Sequence, residues 1–424
     1  MKKQEIRLMT GNTLLDMVVG GAPNVYGYSV GKFINIVGDK SSGKTFIANE
    51  IIANTYHNNS RKQFKWIYDD CEAGYSFDSV KMYGFDIIPK DKEGNPINPS
   101  STTVQEAFVN IYNFANSLKG DQFGIYVLDS LDGLSSNEEN EQAQERIKAH
   151  NAGKTYDKGT YGMDKAKYLS KEFFRQLCSK IQDKNVLVII ISQVRQNIEP
   201  FSFDKYVRAG GKAMDFYAHT VLWLATLKKI NKKGKPVGVV IKAKTTKSKT
   251  PRPFRDCLFS IIFDYGVDNI GSNLDYLYEL RTDKGELTPT AKSIAWGDNV
   301  ETKKHTVSEL KKWLMTIEMA TKTNKGKNKK QNALEVYLQD GEKPKLNLLI
   351  DFIESVPQLK DLYNEEFGGE NGKTFTREAL IEYIENNSLE KELANKVIEK
   401  WERIETDISS KRKKRYATQP KGGE

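Results

Sequence analysis

An α/β fold built on a mostly parallel sheet is the class this sequence predicts, and three observations carry that expectation. Gly38-Asp39-Lys40-Ser41-Ser42-Gly43-Lys44-Thr45 fills the pattern GxxxxGK[ST] without a gap. It lies between an apolar, β-prone run, Lys32–Val37, and a stretch with helical apolar spacing, Phe46–Thr55. Apolar runs of strand length then recur along the chain, the first of them separated by helix-like segments, which predicts parallel strands covered on both faces.

Taken in order, the runs are Phe64–Tyr68, Phe123–Leu128, Val186–Ile191, Val221–Ala225, Val237–Ile241 and Cys257–Phe263. The intervening helix-like segments are Phe46–Thr55, Thr103–Leu118 and Tyr168–Ile181. The last strands come closer together, as a β-rich finish to the same sheet would. Thr321–Lys330 (TKTNKGKNKK) has almost no apolar residues and reads as a linker. Beyond it, Ser388 can cap a helix carrying Leu389, Leu393, Val397, Trp401 and Ile404 at spacings of three and four. The expected organisation is a short segment, 1–30, leading into a core, 31–300. A helix with the lysine-rich linker follows at 301–334, then a small helical domain at 335–408 and a basic disordered tail at 409–424.

The 424 residues exceed what one core holds, and 38% hydrophobic content is enough for a packed interior. No run of about 18 apolar residues exists, so no membrane span is expected. The start, MKKQEIRLMTGN, has no apolar h-region and does not read as a secretory signal. Cys71, Cys178 and Cys257 are scattered without CxxC spacing, which points to a reducing compartment and away from disulfide or zinc frameworks. The net charge is +9, and its distribution says more than its size: Lys205–Arg255 holds fourteen Lys/Arg and one acid, Asp215. Such an imbalance fits a polyphosphate partner, nucleotide or nucleic acid.

The loop pattern has a specific chemistry. Its glycines let backbone N–H groups wrap a phosphate, and the following helix offers its unsatisfied N–H groups to the same anion. Lys44 would reach the β/γ-phosphates and the Thr45 hydroxyl would ligate Mg²⁺, so ATP and Mg²⁺ are the expected cofactors, with Gly38 to Phe46 as the binding segment. Asp129, at the end of the run FGIYVL, is placed to hold Mg²⁺ through water. Asp70-Cys71-Glu72 closes the preceding run, FKWIY, and Glu72 is a candidate general base, with Asp70 and Asp69 as its nearest competitors. Gln193, at the end of VLVIII, could contact the γ-phosphate.

These residues together resemble the RecA-type recombinases of bacteria and bacteriophages, over roughly residues 8–270. Thr10-Gly11-Asn12 with Leu14-Leu15-Asp16 is similar to the family's opening segment, Asp70-Cys71-Glu72 to its D-x-E, and Leu128-Asp129-Ser130 to its Mg²⁺ aspartate. Ser192-Gln193-Val194-Arg195 resembles the strand end that couples the γ-phosphate to DNA-binding loop two. That loop would be Asn197–Ala209, closing on Gly210-Gly211-Lys212, and loop one would be about Asn151–Met163. Phe216 falls at a subunit-interface phenylalanine. Lys247 and Lys249, before Pro253-Phe254, match a lysine pair that reaches a neighbour's ATP. Three departures stand out. Barely nine residues precede Thr10, so the usual N-terminal docking element is expected to be absent or replaced; Lys212 stands where an asparagine is usual; and the tail is basic rather than acidic. In length and C-terminal region the chain is closer to a phage recombinase than to a housekeeping bacterial one.

Phe201, Phe203 and Tyr206 interleave with Lys205 and Arg208, which suits single strands, because bases stack on rings while cations take phosphates. The resemblance further implies that Met163 and Ile198 wedge between base triplets and that Arg175 and Arg195 contact phosphates. The expected activity is a DNA-dependent ATPase that binds single-stranded DNA as a filament and exchanges strands with duplex, in a bacterial or phage-infected cytoplasm. Single-strand-binding and loader proteins are expected partners. The alternatives are a hexameric helicase of the same fold and an accessory DNA-binding paralogue that does not hydrolyse ATP.

Overall fold

The computed structural model describes residues 5–60, 62–153, 168–196, 206–208, 211–296, 307–322, 328–338, 346–367 and 374–412. Its centre is one large sheet. Strands β1 (Lys32–Gly38), β2 (Phe64–Asp70), β3 (Phe123–Asp129), β4 (Val186–Gln196), β5 (Thr220–Lys232), β6 (Lys235–Ser248), β7 (Asp256–Ile262) and β8 (Gly266–Asp268) lie side by side in the order β2-β3-β4-β1-β5-β6-β7-β8. The first five strands of that row are mutually parallel, and β6, β7 and β8 complete it as antiparallel hairpins. The expected α/β class, with a mostly parallel sheet and a helical C-terminal region, is the fold observed.

The unbroken apolar runs follow from burial on both faces. Along β1, Ile34 and Ile36 enter one core while Phe33 and Val37 enter the other, and along β4 Leu187 and Ile189 oppose Val188 and Ile190 in the same way. The helices Thr13–Gly20, Lys44–Asn58 and Asn269–Leu277 cover the first face, with Leu14, Ile47, Ile51 and Leu274 buried there. The helices Val104–Ser117 and Phe174–Ile181 cover the second, through Val104, Ile111, Leu177 and Ile181. Thr103 and Glu106 start the helix Val104–Ser117 with a reciprocal capping box, which fixes its first turn against the sheet.

The C-terminal region departs from the sequence expectation in three ways. Residues 335–408 do not pack as one unit. Leu310, Leu314, Leu334, Leu349, Ile353 and Leu359 form their own small core, whereas Leu380, Ile384, Leu393, Val397 and Trp401 belong to the core of the main sheet. The chain leaves the main body after Ile294–Ala295 and returns beside it at Thr374–Phe375, the two segments pairing antiparallel. An amphipathic stripe states that a helix must bury a face, not against which neighbour, so this division was not legible. The lysine-rich stretch is not a plain linker either: Glu318–Lys322 and Asn328–Asn332 pair as a hairpin. Backbone pairing does not require apolar residues, and its polar strands gave no hydrophobic signal. Finally, Ser388 is no N-cap. It sits at φ +54 in the turn between the helices Arg377–Asn386 and Glu390–Asp407, and the cap position of the second belongs to Leu389. Among the described residues no helix is long and apolar enough to cross a membrane.

Candidate active site

The carboxyl ends of the parallel strands place the candidate residues together. In register, Gly38 lies between Gln193 of β4 and Leu224 of β5, and Asp70 lies opposite Asp129. The loop leaving β1 has room only for glycine at two points. Gly43 sits at φ +87, and a Cβ there would come 2.6 Å from Ile261 Cδ1; a Cβ at Gly38 would come 2.7 Å from the Leu224 carbonyl. The loop therefore runs tight, and the helix Lys44–Asn58 opens directly above it.

Lys44 is 9% exposed, and its Nζ donates to the Gly38 carbonyl at 3.0 Å and the Asp39 carbonyl at 2.8 Å. Burial pushes this ammonium below its ordinary value, while Asp129, Asp39, Glu72 and Asp132 pull the other way. Ser42 Oγ is buried with no hydrogen-bond partner among the described residues. Asp39, Lys40 and Ser41 are exposed around the loop; Phe46 packs edge-on against Phe77, with ring centroids 4.8 Å apart. Thr45 Oγ1 donates to Asp129 Oδ2 at 2.8 Å, and Tyr68 OH donates to the same oxygen at 2.5 Å. Burial raises Asp129 above the usual carboxylate value, against the lowering effect of those two hydroxyls. An amine bonded only to carbonyls, a buried hydroxyl without a partner and a two-residue metal edge fit the phosphates and Mg²⁺ of a nucleotide.

The three acids at the end of β2 separate by environment. Asp69 is fully buried on the far face, where it accepts from Ser101 N at 2.7 Å, Ser101 Oγ at 2.6 Å and Tyr126 OH at 2.6 Å. Asp70 accepts from Tyr75 N at 2.9 Å and Gly74 N at 3.3 Å, which shapes its own loop. Glu72 is exposed toward the crevice; its Oε1 accepts from Gln193 Nε2 at 2.9 Å and from the Ser130 hydroxyl. Gln193 is held in turn by its backbone N–H, which donates to Asp132 Oδ2 at 2.8 Å. Of the three, only Glu72 combines exposure with contact to Gln193. The sequence reading did not assign roles to Tyr68, Ser130 and Asp132. For Tyr68 a signal was present: a tyrosine in a buried strand needs a partner for its hydroxyl, and it lies two residues before Asp70, hence on the same face.

Lys247 and Lys249 are not part of this constellation. Lys247 is in register with Val221, three residues short of Leu224 beside the phosphate loop, about 10 Å along the strand. Its Nζ lies on the carbonyls of Asp215 and Phe216, the latter at 2.6 Å, and Lys249 Nζ is 3.4 Å from the Tyr217 carbonyl. Both cations thus cover the end of the helix Gly211–Tyr217, where carbonyls lack intrahelical partners. Phe216, on that helix, is 71% exposed.

Of the residues expected to touch DNA, Arg175 is exposed on the helix Phe174–Ile181. Arg195 is the second-last residue of β4, whose end pairs with Tyr206–Arg208, so part of the expected loop two is strand. Gly211 and Lys212 begin the helix Gly211–Tyr217. Met163, Ile198, Phe201, Phe203 and Gly210 lie outside the described residues.

A family model described as the RecA N-terminal domain matches residues 147–268, from the segment before the expected loop one through β8. Over 273 residues the chain is 26% identical to protein RecA of Ruminococcus albus, covering 64% of this chain and 60% of that protein. It is 27% identical over 272 residues to protein RecA of Trichodesmium erythraeum, covering 64% of this chain and 67% of that one. A third, protein RecA of a Caulobacter strain, is 26% identical over 269 residues. The match thus spans less than two thirds of the first of these relatives.

Proposed function

We propose that this chain, which resembles RecA proteins over 64% of its length and matches the RecA N-terminal domain over residues 147–268, is a DNA-dependent ATPase of the RecA type that assembles on single-stranded DNA and exchanges strands with homologous duplex. One observation carries the reading: Glu72 stands exposed in the crevice, bonded to Gln193 and Ser130, beside Lys44 and the Thr45–Asp129 pair. A module that only binds nucleotide has no need of a carboxylate poised over the crevice.

Each residue has a distinct task in this reading. Mg²⁺, when bound with ATP, would neutralise charge developing on the phosphates. Thr45 would ligate it through a hydroxyl lone pair while still donating its proton to Asp129, which would hold the metal's water shell. Lys44 exchanges its two carbonyl partners for phosphate oxygens, a stronger charge-assisted contact. Glu72 takes the proton of the attacking water. Gln193 sits three residues before the end of β4, the strand that runs on toward the DNA-facing loop, so a shift of its amide from Glu72 to phosphate would link the two. Lys247 and Lys249, remote from their own phosphate loop, would serve a neighbour's nucleotide, which makes ATP part of the subunit interface. We read 5–296 with 374–412 as the ATPase body and 307–367 as a satellite helical unit.

The test is ATP turnover with and without single-stranded DNA, together with sedimentation of the protein on DNA in ATP and in ADP. Turnover raised by DNA, with assembly tighter in ATP, is expected. A ring of fixed size that unwinds duplex would indicate the helicase reading. Binding without turnover would indicate the accessory paralogue.

A further inference from the structure

We propose that Tyr68 is a positioning residue for the metal that accompanies the nucleotide: its phenol holds Asp129 in the rotamer that faces the Mg²⁺ site. The inference rests on the nucleotide site proposed above and extends it by a residue outside the loop pattern and the strand-end acids. Three observations combine. Tyr68 OH and Thr45 Oγ1 donate to one and the same oxygen, Asp129 Oδ2, at 2.5 and 2.8 Å. The carboxylate is therefore pinned from two sides through one oxygen, which leaves Oδ1 to accept from the water shell of a cation. Tyr68 itself is fixed, being 1% exposed and packed at 64° against Tyr75 with centroids 5.0 Å apart. Its position in β2 does not depend on the loop, because it pairs with Val127 of β3 in a buried parallel ladder.

The two donors have different work. Thr45 stands on the helix that follows the phosphate loop, so its hydroxyl position changes if the loop adjusts to a nucleotide. Tyr68 stands on a strand of the sheet and does not follow that motion. With only Thr45 to hold it, Asp129 would be free to turn when the loop moves. With Tyr68 in place, the carboxylate stays where the metal needs it. Partners behind a metal-binding group commonly change metal affinity by about 10- to 100-fold when removed.

Tyr68→Phe keeps the ring and removes the donor. The experiment measures equilibrium binding of a fluorescent ATP analogue to the full chain while Mg²⁺ is titrated, with an EDTA arm and a thermal melt on the same samples. The half-saturating Mg²⁺ concentration should rise about tenfold in Tyr68→Phe. Affinity in EDTA and the melting temperature without nucleotide should match the parent. Tyr75→Phe, which disturbs the same aromatic layer, should leave the Mg²⁺ titration in place. Superimposable Mg²⁺ titrations of parent and Tyr68→Phe would overturn the proposal. So would an equal loss of binding in EDTA, which would make the tyrosine a packing residue. A parent chain that binds no nucleotide at all removes the site reading itself, and the proposal with it.

Discussion

Two sets of carboxylates in this protein are matched in opposite ways. Behind the sheet, Asp268 and Asp275 are closed off by built-in cations. Arg377 donates to Asp275 at 2.6 and 3.1 Å and reaches Asp268 at 3.4 Å, and Arg281 adds a 2.5 Å contact to Asp275. At the carboxyl end of the sheet, Asp129 is partly buried and is met by two hydroxyls, and among the described residues no ion pair joins it to a cation. An acid that is largely desolvated and hydrogen-bonded but held in no ion pair is costly to keep ionised, and Asp129 is raised despite the charge of nearby Lys44. The first set holds the C-terminal helices on the core. The second leaves a charge to be matched from outside, as a site for a metal-bearing ligand requires.

The sharpest way to break this contrast is to remove one member of each set. Arg377→Met leaves the buried Asp268 without its cation and Asp275 with Arg281 alone, and should cost about 3–5 kcal/mol, read as a lower urea midpoint. Asp129→Asn removes a charge that no ion pair holds and keeps an oxygen for the two hydroxyls, so the nucleotide-free chain should hold its stability to within about 1 kcal/mol while Mg²⁺-dependent nucleotide binding falls at least about tenfold. Equal destabilisation by both substitutions would mean that Asp129 is structural.

A smaller effect sharpens the comparison from the other side of the sheet. His219 is held down to about 4 by burial and then by Lys249 and Lys32. Its unfolded value is near 6.5. Between those values only the unfolded chain binds the proton, so its contribution is complete above pH 6.5 and drains as pH falls toward 4. After allowance for solvent screening this amounts to about 1–2 kcal/mol. Asp16, raised to about 7 by burial, works in the opposite sense: its native form keeps a proton that the unfolded chain releases, so stability drains as pH rises from about 4 to 7. The His219 contribution therefore shows in the difference between parent and His219→Gln. Unfolding free energies that part company below pH 6.5 are expected, and parallel curves would contradict the assignment.

Much of the fold could be read from residues alone, because strands buried on both faces leave long apolar runs and the phosphate loop marks where β1 ends. The site was legible where one side chain had one possible face. Thr45 and Asp129 follow from the loop and the adjacent strand end. Glu72 could be named as the candidate base but kept Asp70 and Asp69 as close competitors, since three acids in four residues share one stretch of sequence. Strand alternation separates them only once Ser101 and Tyr126 are seen to occupy Asp69. Tyr68 is the reverse case: its place in a buried strand signals that its hydroxyl needs a partner, but not that the partner lies sixty-one positions away. The satellite core and the turn at Ser388 were hidden for the same reason, because both are set by which surfaces meet.

The most direct test of the account separates binding from turnover at the two ends of the site. Fluorescent-nucleotide affinity and ATP hydrolysis on single-stranded DNA are measured for the parent, Lys44→Ala and Glu72→Gln. Lys44→Ala should lose binding and turnover together. Glu72→Gln should bind as the parent does and lose turnover by a factor of about 10²–10⁴, since it removes only the base. Parental turnover in Glu72→Gln would contradict the account.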